Sequence, residues 1–148
     1  MEMKSQPIYP FQEYVRSAIR QRKYIGLETF FGSGKTYLSL QWLADLEAQG
    51  CKVFPCLVLT LKSVVPQWGE EIELHTDSDY CTVLGNSARR AKILRNVKAP
   101  IYILNYDCIR NKAVCQPYEI YSLIHLSLTR VLTSKMLVHN VSSFGINV

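Results

Sequence analysis

After Glu119 the sequence has no aspartate and no glutamate, and beyond that point Arg130 and Lys135 are the charged side chains left. Other absences narrow the class of protein. The five cysteines, at 51, 56, 81, 108 and 115, form no CxxC pair, which argues against a zinc ribbon or a disulfide framework and leaves reduced thiols. No apolar run is long enough to span a bilayer. The opening "MEMKSQPIYPF" carries no apolar signal core, so the expectation is an intracellular protein: cytoplasmic, nucleoid-associated, or in a host cytoplasm if phage-encoded. There is no repeat and no low-complexity tract.

What is present suits one modest domain with a real core: 148 residues, 48% of them hydrophobic. The formal net charge of +5 leans toward a polyanionic partner and equally suits plain solubility. Alternation of element types is readable along the chain. Phe11, Tyr14, Val15, Ala18 and Ile19 recur at helical spacing across residues 10–22. "KYIGLETF" predicts a short apolar strand. A helix follows over 36–49, with Leu38, Leu40, Trp42, Leu43 and Leu46 as its apolar positions and Gly50 as its stop. "CKVFPCLVLTL" predicts a buried strand with Pro55 near its start or at an irregularity. "SVVPQWGEEIELH" predicts a helix with Ser63 as N-cap, "YCTVLG" a strand, "SARRAKILRN" a basic helix and "APIYILNYD" a further strand. Strands alternating with helices imply an α/β architecture, a parallel sheet flanked by helices.

The sharp motif is "ETFFGSGKT", Glu28 to Thr36. A strand, a Gly-rich turn and a Lys-Thr opening a helix form the context a phosphate loop requires. Gly32 and Gly34 let the backbone turn its N–H groups toward a phosphate chain. Ser33 lies between them, and the helix beginning near Lys35 adds its positive end. Lys35 is placed to reach the β- and γ-phosphates of ATP, and the Thr36 hydroxyl to ligate Mg²⁺. The glycine that usually stands six residues before the lysine is missing; Thr29 occupies that position and Phe30 and Phe31 follow it.

Helicase-type ATPases tolerate other residues there, and the rest of the chain resembles one such family. "LVLTLKSVVPQWGEEIE", Leu57 to Glu73, resembles the segment after the second strand in Swi/Snf-type ATPases of helicase superfamily two, with Leu61 in place of the family's proline. "VLGNSARRAKIL" resembles the family's Gly-then-Arg segment, and "IYILNYDCIR" its strand and helix carrying Asn-Tyr. "YPFQ" matches an aromatic-x-x-Gln element. The resemblance covers residues 8–112, in order. It implies a partial RecA-like P-loop lobe over 8–118, the first of two, with ATP hydrolysis coupled to movement along DNA, double-stranded for this family. It also implies that Gln12 reads adenine and that Lys62, Ser63, Gln67 and Trp68 touch the DNA backbone, with Asn105 and Tyr106 as weaker candidates. Trp68 is equally readable as a core aromatic. Arg89, Arg90, Lys92 and Arg95 read as a solvated helix face before they read as a DNA track.

The resemblance next requires an acidic motif at a strand end, D-E-S/A-H or D-E-S-S followed by I-K-N, whose Asp serves Mg²⁺ and whose Glu activates water. The acid-free tail arrives instead. Codons formed from the third base of one residue and the first two of the next can spell D-E-S-S-x-I-K-N across Leu128 to Met136. The expectation is a frameshift between Lys112 and Ser122 in a Swi/Snf-like gene, a truncated product, and an atypical, poorly ordered tail over 119–148, with His125 and His139 incidental. A second-lobe polypeptide is a candidate partner. Two rivals remain. A small P-loop kinase or NTPase would use Asp107 as its Mg²⁺ acid. A non-enzymatic nucleic-acid-binding module would use the basic helix and Trp68.

Overall fold

Two strands dictate the centre of the structure. "CLVLT" and "IYILN" are apolar on both faces, as strands covered on both sides must be. In the computed structural model, which describes residues 1–22, 24–106, 122–125 and 134–139, they form β2 (Cys56–Thr60) and β4 (Ile101–Asn105), paired in parallel from Cys56↔Ile101 to Thr60↔Asn105 and buried at every position. β3 (Tyr80–Val83) adds in parallel on the far side of β4. β1 (Tyr24–Thr29) leads into the phosphate loop. The cis Phe54–Pro55 bond lies just before β2, where the sequence predicts the irregularity.

Two further strands come from the 119–148 tail, where the sequence reading places no element. β5 (Ser122–His125) pairs in parallel with β2, and β6 (Ser134–His139) pairs antiparallel with both β5 and β1. The sheet order is β1-β6-β5-β2-β4-β3. The parallel sheet expected from the sequence therefore holds on one side, and an antiparallel strand separates it from β1. Pairing of this kind needs backbone N–H and C=O groups facing an open strand edge, and it makes few demands on side-chain order. Asp107, the acid of the kinase rival, lies outside the described residues, as do Cys108, Cys115, Arg130 and the 112–121 junction.

Among the described residues four helices flank the sheet: α1 (Pro10–Ile19), α2 (Lys35–Ala48), α3 (Val65–His75) and α4 (Ser87–Asn96). α2 is buried around most of its circumference, from Tyr37 to Leu43 and again at Leu46, which suits its run of leucines and Trp42. Trp42 is 1% exposed, and its indole N–H donates to the Arg22 carbonyl at 2.9 Å. α1 lies on α2 through a two-pronged ion pair. Arg16 Nε and Nη2 donate to the two carboxylate oxygens of Asp45 at 2.9 and 2.8 Å, and the Asp45 hydrogen bond raises the Arg16 pKa. That clamp turns the predicted apolar stripe of α1 partly outward: Ile19 is buried, while Phe11 and Tyr14 are exposed.

The Ser63 cap does not form. Lys62–Val64 make a 3₁₀ turn, α3 starts after it with Pro66 in the first turn, and Val64 stands at the cap without a side-chain bond. Proline favours a first-turn position because it has no N–H to satisfy there, so it sets the start and leaves Ser63 outside. α4 does have a capping side chain, the Asn86 carbonyl accepting the Arg89 N–H at 2.9 Å. Cys51, Cys56 and Cys81 are free thiols. Complete burial pushes the Cys56 thiol far up, and partial burial raises Cys81, so these two are poor nucleophiles.

Candidate nucleotide site at the phosphate loop

β1 ends at Thr29 and α2 begins at Lys35, so five residues turn the chain from strand to helix. The turn works because Gly32 and Gly34 adopt φ of +74° and +78°, the left-handed region that side chains resist. Gly34 is also the N-cap of α2, and no side chain caps that helix; its first turn holds no acid. The helix start therefore keeps its positive end available to an anion.

Lys35 folds back over the loop. Its ammonium donates to the Phe30 carbonyl at 2.8 Å and the Thr29 carbonyl at 3.2 Å, with the Thr29 hydroxyl at 3.5 Å. The Phe31 ring centroid lies 5.8 Å from the same ammonium, within cation–π range. Burial lowers the Lys35 pKa. Every one of these partners is neutral, so the lysine keeps its charge for a ligand, and phosphate oxygens can replace the carbonyls as acceptors. Thr36, half-buried in the first helical turn, supplies the hydroxyl a Mg²⁺ ion would need. The cradle fits a nucleotide phosphate chain.

Two residues hold the loop from within. Thr29 and Ser33 hydrogen-bond through their hydroxyls, and Ser33 is 1% exposed. Gln12 reaches in from α1: its amide N–H donates to the Ser33 carbonyl at 3.1 Å, and its amide oxygen accepts the Tyr9 N–H at 3.1 Å. Gln12 is itself 7% exposed. A Cβ on Gly34 would stand 2.5 Å from the Gln12 amide nitrogen. Thr29 is thus a brace in the place of the missing glycine. A hydroxyl residue facing Ser33 across the loop was the available signal, and sequence reasoning passed over it, as it passed over Arg16 and Asp45.

The predicted DNA-facing residues divide. Leu61, Lys62, Ser63, Pro66 and Gln67 are exposed along the 3₁₀ turn and the start of α3, beyond the C-terminal end of β2. Trp68 instead packs into the core at 2% exposure. Helical geometry decides this: Trp68 shares the inward face with Val65 and Ile72, all buried, while Gln67 points outward. Asn105 is buried and Tyr106 half-buried at the end of β4. On α4, Ala91 and Leu94 face inward, while Arg89, Lys92 and Arg95 are exposed and Arg90 is half-buried. Among the described residues no group of three or more His, Cys, Asp and Glu could hold a metal ion, and no helix is long and apolar enough to cross a membrane.

No family model matches the sequence, and no curated protein does. A solved structure does match: the Sulfolobus solfataricus SWI2/SNF2 ATPase core in complex with dsDNA, with a TM-score of 0.60 and 22% sequence identity. The likeness covers 74% of this chain and 23% of that one. The fold is a partial RecA-like lobe. At this identity the likeness speaks for architecture, and the lobe corresponds to under a quarter of the length of its structural neighbour. In the lobe, the phosphate loop, the 3₁₀ turn and Asn105 all lie at the C-terminal ends of β1, β2 and β4, where ligands of α/β sheets bind.

Proposed function

We propose that this lobe is the ATP-binding part of a DNA-dependent ATPase of the Swi/Snf type. The observation that carries the reading is the loop itself: two left-handed glycines, an uncapped helix start and a lysine whose ammonium is held by neutral carbonyls. The fold shared with a SWI2/SNF2 ATPase core bound to dsDNA supports it, as does the exposed set Lys62, Ser63 and Gln67 beside the same sheet edge. Lys35 and the first-turn N–H groups would hold the β- and γ-phosphates, and the Thr36 hydroxyl would hold Mg²⁺. Bound Mg²⁺ offsets phosphate charge and polarises the terminal phosphoryl group.

Binding and turnover separate in this reading. Hydrolysis needs a strand-end acid to activate water, and the sequence has no Asp or Glu after Glu119. On this reading the 148 residues bind nucleotide without turning it over. Titration calorimetry with Mg-ATP tests this: Lys35→Ala weakens binding at least about tenfold, about 1.4 kcal/mol, while the wild-type chain shows no Lys35-dependent phosphate release, with or without duplex DNA. Robust Lys35-dependent turnover would overturn it.

The acid-free tail has a matching explanation in the gene. We propose a frameshift between Lys112 and Ser122, with the acidic motif carried in another frame across Leu128 to Met136. The nucleotide sequence decides the matter. An AGA or AGG codon at Arg130 is required for the hidden Glu, and a CGN codon there rules the frameshift out.

A further inference from the structure

At the end of the sheet away from the phosphate loop, residues 97–100 carry the chain from α4 into β4. A cavity of about 460 Å³ opens there. Its walls are Leu94 and Val97 from the end of α4, Phe54 and Pro55 ahead of β2, and the ring of Tyr102. Leu94 and Tyr102 are buried, while Val97 is 41% exposed at the mouth. β2 and β4 each run five residues from this end to the other, about 16 Å of strand. The cavity is therefore separate from the phosphate loop and from the 3₁₀ turn, which lie at the opposite strand ends.

Hydrogen bonds fix the turn that shapes it. The Tyr102 hydroxyl donates to the Val97 carbonyl and accepts the Ala99 N–H at 3.0 Å. The Val97 N–H donates to the Ile93 carbonyl at 2.8 Å, which ties the turn to α4. The Cys56 N–H donates to the Pro100 carbonyl at 2.8 Å, which ties it to β2. The walls are thus held before any ligand arrives, and a preformed site lowers the ordering cost of binding. Pockets for small molecules span about 300–1,000 Å³ and are lined mostly by apolar and aromatic side chains with a few polar groups. This cavity meets both conditions.

Its charged groups are of one sign. Arg95 and Lys98 stand on the rim, both exposed, and no Asp or Glu lines the cavity. Among the described residues neither cation has an ion-pair partner. Arg95, in the last turn of α4, also offsets the negative end of that helix; Lys98 lies beyond the helix. We propose that the cavity binds a small amphiphilic carboxylate, an aromatic or branched apolar body carrying one carboxyl group. The body covers Tyr102, Leu94 and Val97, and the carboxylate meets Arg95 and Lys98. A planar carboxylate matches the guanidinium fork in two parallel hydrogen bonds. A neutral apolar ligand would leave both cations without a counter-charge, and an inorganic anion would leave the apolar walls in water. The inference is independent of nucleotide binding at the phosphate loop.

The test titrates the full chain with 2-naphthoate and with its neutral counterpart 2-naphthamide, following backbone amide shifts by NMR. The expected result is saturable shifts at Val97, Ala99 and Tyr102 with both ligands. The acid should bind about fivefold or more tightly than the amide, the scale that two exposed charge contacts provide. Added salt narrows that gap. The double variant Arg95→Gln/Lys98→Gln closes it, and its melting temperature stays close to wild type because both side chains are exposed. Equal affinities for acid and amide in the wild type overturn the proposal, as does an acid preference that survives in the double variant. Shifts confined to residues 32–36, or no saturable shift up to the ligands' solubility limit, overturn it as well.

Discussion

Replacing Trp42 with alanine lowers stability by about 3–5 kcal/mol, the range for truncating a fully buried aromatic. Trp42 is 1% exposed, centred in α2 among Leu38, Leu43 and Leu46. Its loss opens a cavity in the larger of the two core clusters. It also removes the donor that satisfies the Arg22 carbonyl, at the turn between α1 and β1. Domains of this size hold about 5–15 kcal/mol in total, so the variant is expected to melt far below the wild type or to fail to fold. Trp42→Phe keeps most of the volume and loses the N–H. It should cost about 1–3 kcal/mol, the loss of a part-buried hydrogen bond to the Arg22 carbonyl plus a smaller void. Chemical denaturation of both variants separates packing from hydrogen bonding. Equal losses in the two would show that the indole N–H, and not the ring volume, stabilises α2.

The second large effect is expected at Gly34. Alanine there meets two obstacles at once. The backbone at φ +78° costs an L-residue about 1–2 kcal/mol, and the new Cβ would stand 2.5 Å from the Gln12 amide nitrogen. Either the loop or Gln12 must move, and moving Gln12 strips a bond from the buried Ser33 carbonyl, worth about 1–3 kcal/mol. The sum is about 2–5 kcal/mol of stability, together with loss of nucleotide binding as the cradle deforms. Gly32→Ala is the internal control. Its φ of +74° is equally unfavourable, yet a Cβ there has no atom within 4 Å. It should show the backbone cost alone, about 1–2 kcal/mol. Measured melting temperatures for the pair would contradict the wedge if the two variants fell equally.

Much of the fold is legible in the order of residues. "CLVLT" and "IYILN" are apolar at all but their last position, which fits a central parallel strand and little else. The glycine pattern of "FFGSGKT" encodes its own turn, because only glycine enters the left-handed region cheaply. α2 declares itself through its leucines. These signals are local, so they survive without knowledge of any partner.

The misreadings have a common cause. Phe11 and Tyr14 sit at helical spacing with Ile19, yet they face solvent, because the Arg16–Asp45 ion pair sets the rotation of α1 and spacing alone cannot see a partner on another helix. Ser63 looks like a cap in sequence and loses the position to Pro66, whose missing N–H suits the first turn. Trp68, open to two readings, falls on the buried face of α3 once the register from Val65 to Ile72 is fixed. No side-chain pattern in "SLIH" or "SKMLVH" points to particular strand partners. β5 and β6 take their places through backbone pairing with β2 and β1, and such pairing depends on which edges the rest of the sheet leaves open.

By itself, then, the sequence determined the α/β class, the central strands, the left-handed turn at Gly32 and Gly34 and the place of Lys35 and Thr36 at the start of α2, because each of these follows from residue type and short-range spacing. The tertiary structure decided that Thr29 braces Ser33, that Gln12 is spent on the loop, and that aromatic rings from α1 and the loop meet in solvent. Two of those outcomes join residues far apart in the chain, Gln12 with Ser33 and Phe11 with Phe30, and such contacts exist only after helices have packed and fixed which face each side chain presents.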